Sequence, residues 1–202
     1  MSVPAHYEDD QVVIRKIVVG GFENNVYVVG SPRTNEAVII DAAAEPDRID
    51  EACEGFTIAK VLTTHGHGDH VQAVPSVQKK GIPVGISKAD EGMARIKADF
   101  HIDEGDEFSV GDVTLRAVHT PGHTPGAICF IFGKHLFSGD TLFPGGPGNT
   151  RGNKENFATI IDSITGKLFT LPDETVVYPG HGLDTTIGTE RPHLQEWVDR
   201  GW

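Results

Sequence analysis

The 202-residue sequence predicts an α/β domain built in layers, and three observations point to it. Short β-branched runs recur, each bounded by Gly, Asn, Pro or Asp. Segments of helical character fall between them. Glycine fills 24 of the 202 positions, well above a usual ~7 %. Many of these glycines follow an apolar run directly, the mark of strands joined by tight loops.

In chain order, VVIRKIVV (12–19), NVYVVG (25–30), EAVIID (36–41) and AKVLTT (59–64) form a first group of strands. VTLRAVH (113–119), AICFIF (127–132), KHLFSG (134–139) and TVVYPG (175–180) form a second. Helices are expected over 45–53, 71–80 and 88–97, with Ser87 as the cap of the third. In 156–169, Phe157, Ile160, Ile161, Ile164 and Leu168 recur at i, i+3, i+4, i+7 and i+11. Such a stripe packs a core. A short last helix starts near Pro192, anchored by Trp197.

Length fits one domain over 1–202. No linker, low-complexity tract or repeat divides it. The 17 basic and 29 acidic residues leave a net charge of -12. That balance argues against a nucleic-acid or anionic-membrane partner, since phosphate recognition draws on clustered Lys and Arg. No run approaches the ~20 apolar residues of a membrane span. The start MSVPAHYEDDQVV lacks a basic region followed by an apolar stretch, so no signal peptide is expected. The two cysteines, Cys53 and Cys129, stand far apart outside any CxxC, and Cys129 reads as a core residue. A disulfide is unneeded at this length, which suggests a reducing cytoplasm.

The chemistry concentrates in TTHGHGDH (63–70), where His65, His67, Asp69 and His70 share six positions. Buried imidazole and carboxylate are costly unless paired, hydrogen-bonded or metal-bound. Downstream, His123 follows the strand 113–119, Asp140 follows 134–139 and His181 follows 175–180. Strand ends of one sheet lie side by side, so these four loops can converge on one cleft. Imidazole and carboxylate without thiolate suit Zn²⁺, with Fe or Mn as other choices.

The pattern H65-G-H67-G-D69-H70, His123, Asp140, His181 resembles the signature of the metallo-β-lactamase superfamily, and the likeness runs from about residue 12 onward. The resemblance implies an αββα sandwich with two metal ions at one edge. His65, His67 and His123 would hold the first ion, Asp69, His70 and His181 the second, and Asp140 would bridge them. A hydroxide between the ions would attack the substrate, water bound to such a centre having its pKa lowered to ~7. Asp69 could orient that nucleophile. Asp41, also at a strand end, would accept a hydrogen bond from a ligating histidine.

Within the superfamily, TPGHTPG, SGDTLF and VYPGHG resemble glyoxalase II-like thioester hydrolases, and TIGTERP resembles their small bacterial members. The implied substrate is a small-molecule thioester of a low-molecular-weight thiol. The C-terminal helical domain of full-length glyoxalase II has no counterpart in the 21 residues after His181, which questions the glutathione part of that substrate. A persulfide dioxygenase-like enzyme is the alternative, with iron on His65, His123 and Asp140. The loop FPGGPGNTRGNKENF (143–157) departs from the C-G-R-x-D-F-Q-type stretch of that branch. Arg151 and Lys154 in this loop are candidates to contact a substrate carboxylate. His6, His101, His119, His135 and His193 lack ligand spacing and read as structural, with His119 close enough to support His123.

Overall fold

A period of two, with both faces apolar, decides the architecture, because such strands must be covered on each side. The computed structural model describes residues 3–201. Met1, Ser2 and Trp202, the ends of the expected 1–202 domain, lie outside the described residues.

The first sheet holds β1 (Tyr7–Glu8), β2 (Val13–Val19), β3 (Asn24–Gly30), β4 (Glu36–Ile40), β5 (Thr57–Leu62), β6 (Val84–Ile86) and β7 (Phe100–His101), in that spatial order. β1 to β4 pair antiparallel. From β4 onward the pairing is parallel. α1 (Pro46–Cys53), α2 (Val74–Lys79) and α3 (Lys88–Ala94) supply the crossovers, as parallel pairing requires.

The second half begins with β8 (Glu107–Val110), β9 (Val113–His119), β10 (Ile128–Phe132) and β11 (His135–Gly139). β12 (Leu142–Phe143) and β13 (Gly146–Pro147) form a small hairpin, α4 (Lys154–Ser163) follows, and then come β14 (Val176–Pro179) and β15 (Thr185–Thr186). The second sheet runs β15-β14-β11-β10-β9-β8, parallel only between β11 and β14. α5 (Ile187–Glu190), one 3₁₀ turn and α6 (Leu194–Arg200) end the chain.

Alternate side chains sort into three cores. Tyr27, Val29, Val38 and Ile40 of the first sheet meet Leu115, Phe130, Phe137 and Tyr178 of the second. Tyr27 packs edge-on against Phe137 and Tyr178, at 5.3 and 5.7 Å between ring centres. The other face of the first sheet, through Val26, Val28 and Ile39, packs on Ile49 of α1 and Val74 and Val77 of α2. Cys129, Leu136 and Val177 on the outer face of the second sheet meet Ile160, Leu168 and Trp197. The layers are therefore helix, sheet, sheet, helix, the αββα sandwich expected from the sequence.

Several elements differ from the sequence expectation. β6 and β8 went unseen because three or four residues carry too little alternation. The helix expected over 88–97 ends at Ala94, where Arg95 turns left-handed at φ 52°. Ser87 occupies its N-cap position, but its hydroxyl makes no capping bond. α4 starts at Lys154 because Asn153 Oδ1 accepts from the amides of Glu155 and Asn156. Beyond Ser163 that helix widens into a π turn, Ile164–Leu168. Among the described residues, no helix is long and apolar enough to cross a membrane. Cys53 and Cys129 are both free thiols, Cys129 in the core as expected.

Candidate metal centre

β4 and β5 run parallel, as do β11 and β14, and β9 points the same way as β11. The loops leaving these strands meet at one edge of the sandwich. Three sets of candidate ligand atoms lie within 4.8 Å of one another: His65, His67 and His123; His65, His70 and Asp140; Asp69, His70 and His181. All seven residues singled out by the motif are brought together.

His67 Nδ1 lies 3.0 Å from His65 Nε2 and 2.9 Å from His123 Nε2. His70 Nε2 and His181 Nε2 stand 3.3 Å apart. Asp140 sits between the groups: Oδ2 is 3.5 Å from His123 Nε2 and 3.6 Å from His181 Nε2, and Oδ1 is 3.6 Å from His70 Nε2. Asp69 Oδ2 faces both His70 Nε2 and His181 Nε2 at 3.5 Å.

The outer nitrogens are already engaged, which fixes what the inner ones can do. A carbonyl oxygen only accepts, so His123 Nδ1 donates to Asn149 O (2.9 Å) and His181 Nδ1 donates to Phe22 O (2.8 Å). His70 Nδ1 donates to Asp41 Oδ2 at 2.8 Å. Thr64 Oγ1 donates to Asp41 Oδ2 at 2.8 Å, so it accepts from His65 Nδ1 at 3.1 Å. Four Nε2 atoms are thereby left facing inward, each open to a proton or a metal ion.

Two further observations fit cations at this place. Asp140 Oδ1 is buried and has no hydrogen-bond partner, an expensive state for a carboxylate oxygen. A Cβ on Gly180 would fall 2.3 Å from that oxygen and 2.8 Å from His70 Cε1. The chain keeps the space beside the unpaired oxygen clear of side chains.

The electrostatics differ between the two groups. Burial holds His65 well below the ordinary histidine range, and the neighbouring imidazoles add to it. Burial also lowers His67 and His123. Burial opposes charge on His70 too, but the Asp41 carboxylate outweighs it and lifts the group to about 9. At His181 burial is outweighed by its bond to Asp69, and the pKa rises. Asp69 is held well below the usual carboxylate range by His181 and, against some burial, by Asn24.

Asp41 is buried, with Oδ1 accepting from Thr64 N and Oδ2 from His70 and Thr64. Arg151 Nη2 comes within 3.5 Å of His67 Nε2. Lys154, by contrast, opens α4 and lines a groove with Phe157, Ile161 and Val198, whose walls include none of the seven. His119 bonds to Pro125 O at 2.8 Å, within the His123 loop rather than to His123. His6, His101 and His193 pair with Asp184, Glu91 and Glu196, and His135 is buried against Tyr178.

Three polar residues escaped the sequence reading. Asn24 is buried and donates from Nδ2 to Asp69 Oδ2 at 2.8 Å. Thr64 links His65 to Asp41. Asp90 of α3, fully buried, accepts from Gly66 N (2.9 Å), Thr124 Oγ1 (2.6 Å) and Gly126 N (2.8 Å). It thus ties the His65–His67 loop to the His123 loop. None of the three lies in a repeating pattern; only the polar Thr64, inside the motif itself, offered any signal.

A family model described as the Metallo-beta-lactamase superfamily matches residues 19–181. Hydroxyacylglutathione hydrolase GloC of Haemophilus influenzae is 33 % identical over 201 residues, which cover 88 % of this chain and 94 % of that one. Persulfide dioxygenase ETHE1 of Bos taurus is 32 % identical over 174 residues, covering 82 % and 68 %. The crystal structure of TTHA1623 in a di-iron-bound form matches with a TM-score of 0.72 at 31 % identity, covering 87 % of this chain and 96 % of that one. A matched family model over most of the chain, relatives above 30 % identity and one convergent His/Asp cluster lead to a single assignment: the chain belongs to the metallo-β-lactamase superfamily.

Proposed function

We propose that the protein is a dinuclear metal-dependent hydrolase that cleaves small-molecule thioesters of low-molecular-weight thiols. The observation that carries the reading is Asp140, whose carboxylate lies between two complete donor groups with one buried oxygen unpaired. His65, His67 and His123 would hold one ion, Asp69, His70 and His181 the other, and Asp140 both. Two divalent ions, zinc by the donor chemistry, would supply Lewis acidity for the acyl carbonyl and a water activated at neutral pH.

The chain's own groups do the rest. Asp69 stays ionised, and Asn24 fixes its Oδ2, so its carboxylate is set to accept a hydrogen bond from the attacking water and orient it. Asp41 and Thr64 hold the rings of His70 and His65, so that only Nε2 of each faces the reacting centre. A thiolate leaving group, with a thiol pKa near ~8.5, needs little protonation. A relative named hydroxyacylglutathione hydrolase is matched over 94 % of its length, so the short tail after His181 does not count against a glutathione thioester. We infer a cytoplasmic setting from the two unpaired cysteines.

The similarity to ETHE1 supports a second reading, an iron-dependent persulfide dioxygenase using His65, His123 and Asp140. Metal content per chain, in protein purified without chelator, separates the two. The hydrolase reading expects close to two metal ions and oxygen-independent release of thiol from acyl thioesters. One iron per chain, with oxygen consumed on a persulfide and no thioester cleavage, would overturn it.

A further inference from the structure

The mouth of the metal centre is chemically lopsided. Among the described residues, the two most exposed large hydrophobic side chains are Leu183, at 80 %, and Phe22, at 72 %. Both belong to backbone that adjoins His181: Phe22 O accepts from His181 Nδ1, and Leu183 follows two positions after it. The Phe143 ring lies on the same side, 6.4 Å from the His181 ring at an interplanar angle of 30°. Single exposed apolar side chains are ordinary, but a group of them around one candidate ligand marks a contact surface.

The opposite side carries a cation. Arg151 Nη2 is 3.5 Å from His67 Nε2, and among the described residues no carboxylate pairs with it. The turn that presents it is built in place. Asn149 uses its carbonyl to hold His123 and its side-chain oxygen to accept from Arg151 N, with Arg151 left-handed at φ 54°. One residue thus sets both a candidate ligand and the only site-facing guanidinium in this loop. A guanidinium in that position suits a carboxylate or phosphate, which it can bind through two parallel hydrogen bonds.

A thioester lying across the two metal positions sends its acyl and thiol arms in opposite directions. We propose that the acyl arm is an apolar chain seated on Phe22, Phe143 and Leu183, and that the thiol arm carries an anion bound by Arg151. This inference rests on the thioester reading and narrows its substrate class. On the His181 side an anion would meet exposed Glu23 and a protein of net charge -12. Lys16 Nζ, which reaches Gly182 O on that side, is already paired with Asp184, so the unpaired Arg151 assigns the charged arm to the His67 side. Low-molecular-weight thiols carry ionised groups, whereas acyl chains need not, which sets the direction of the substrate.

Thioethers, which cannot be cleaved, test this on the zinc-loaded full chain by calorimetry. S-hexylglutathione is expected to bind at least tenfold tighter than S-methylglutathione, and at least tenfold tighter than S-hexyl-N-acetylcysteamine, which has no anion. Arg151→Gln should abolish the second preference and spare the first. The double variant Phe22→Ser, Leu183→Ser should do the reverse, and all three side chains are exposed enough to leave the fold intact. S-hexyl-coenzyme A reports the anion: tighter binding than S-hexylglutathione assigns a phosphate, weaker binding a carboxylate. Equal binding of hexyl and methyl probes, or equal losses in both variants, would overturn the proposal. Hexanoyl thioesters of the same thiols separate the two failures. Selective binding without cleavage sinks the hydrolase reading alone, and unselective cleavage sinks this one alone.

Discussion

At Gly180 the fold leaves room for a hydrogen and nothing larger. An added methyl would press on Asp140 Oδ1 at 2.3 Å and on His70 Cε1 at 2.8 Å. Its backbone also donates to Gly139 O and accepts from Asn25 N, at 2.8 and 2.7 Å, so it cannot step aside freely. Gly180→Ala is therefore expected to push the Asp140 carboxylate out of line. Overpacking of this kind costs about 1–3 kcal/mol, small enough for the chain to stay folded. On the dinuclear zinc reading proposed above, bound metal should fall from two ions per chain to one or fewer, with an unchanged circular dichroism spectrum. Full metal content in the variant would show that Asp140 does not bridge. The sequence showed this glycine only as punctuation after a strand. It pointed to the seven His and Asp positions because four crowd into 63–70 and the other three each follow directly on a β-branched run. Asn24 and Asp90 stayed hidden because each owes its position to a partner tens of residues away.

The element that organises the first donor group is α3, although it carries none of the seven residues. Through Asp90 it reaches Gly66, between His65 and His67, and Thr124 and Gly126, just past His123. Close packing enforces the contact, since a Cβ on Gly66 would lie 2.5 Å from the Asp90 carbonyl oxygen. Asp90→Ala strands two buried amides and a hydroxyl, and each buried unsatisfied group costs about 1–3 kcal/mol. The expected loss is about 3 kcal/mol or more in urea unfolding measured with chelator present, where no metal contributes. Zinc affinity should weaken as well, because the His65–His67 and His123 loops lose their common anchor. A variant with unchanged affinity would confine Asp90 to stability. Elements were legible in proportion to their length. The run 113–119 alternates long enough to betray one buried face, the continuous apolar run 127–132 betrays two, and their observed ends fall within one residue of the expected ones. The three residues of β6 do not. α4 shows the limit of periodicity: the apolar stripe located it, but its start was set by the Asn153 cap and its end by a π turn.

For the molecule as a whole, the candidate metal centre is a seam between the two sheets. His65, His67, Asp69 and His70 hang from β5 of the first sheet, and His123, Asp140 and His181 from β9, β11 and β14 of the second. Ions held by both sets would cross-link sheets that otherwise adhere through their shared apolar core. That core is continuous from Tyr27 and Ile40 to Phe130 and Phe137, all fully or almost fully buried, so it should hold the fold without metal. An ion that binds only the folded state adds about 4 kcal/mol when present at a thousand times its Kd. For a chain of this size each kcal/mol moves the melting midpoint by about 2–4 °C. Treatment with chelator is therefore expected to lower the midpoint by roughly 10 °C or more, leaving the secondary structure at 25 °C unchanged, and added zinc should restore it. An unmoved midpoint would mean that the histidine cluster holds no metal under those conditions. Outright unfolding on chelation would instead place the stability of the sandwich in its metal seam rather than in the apolar core between the sheets.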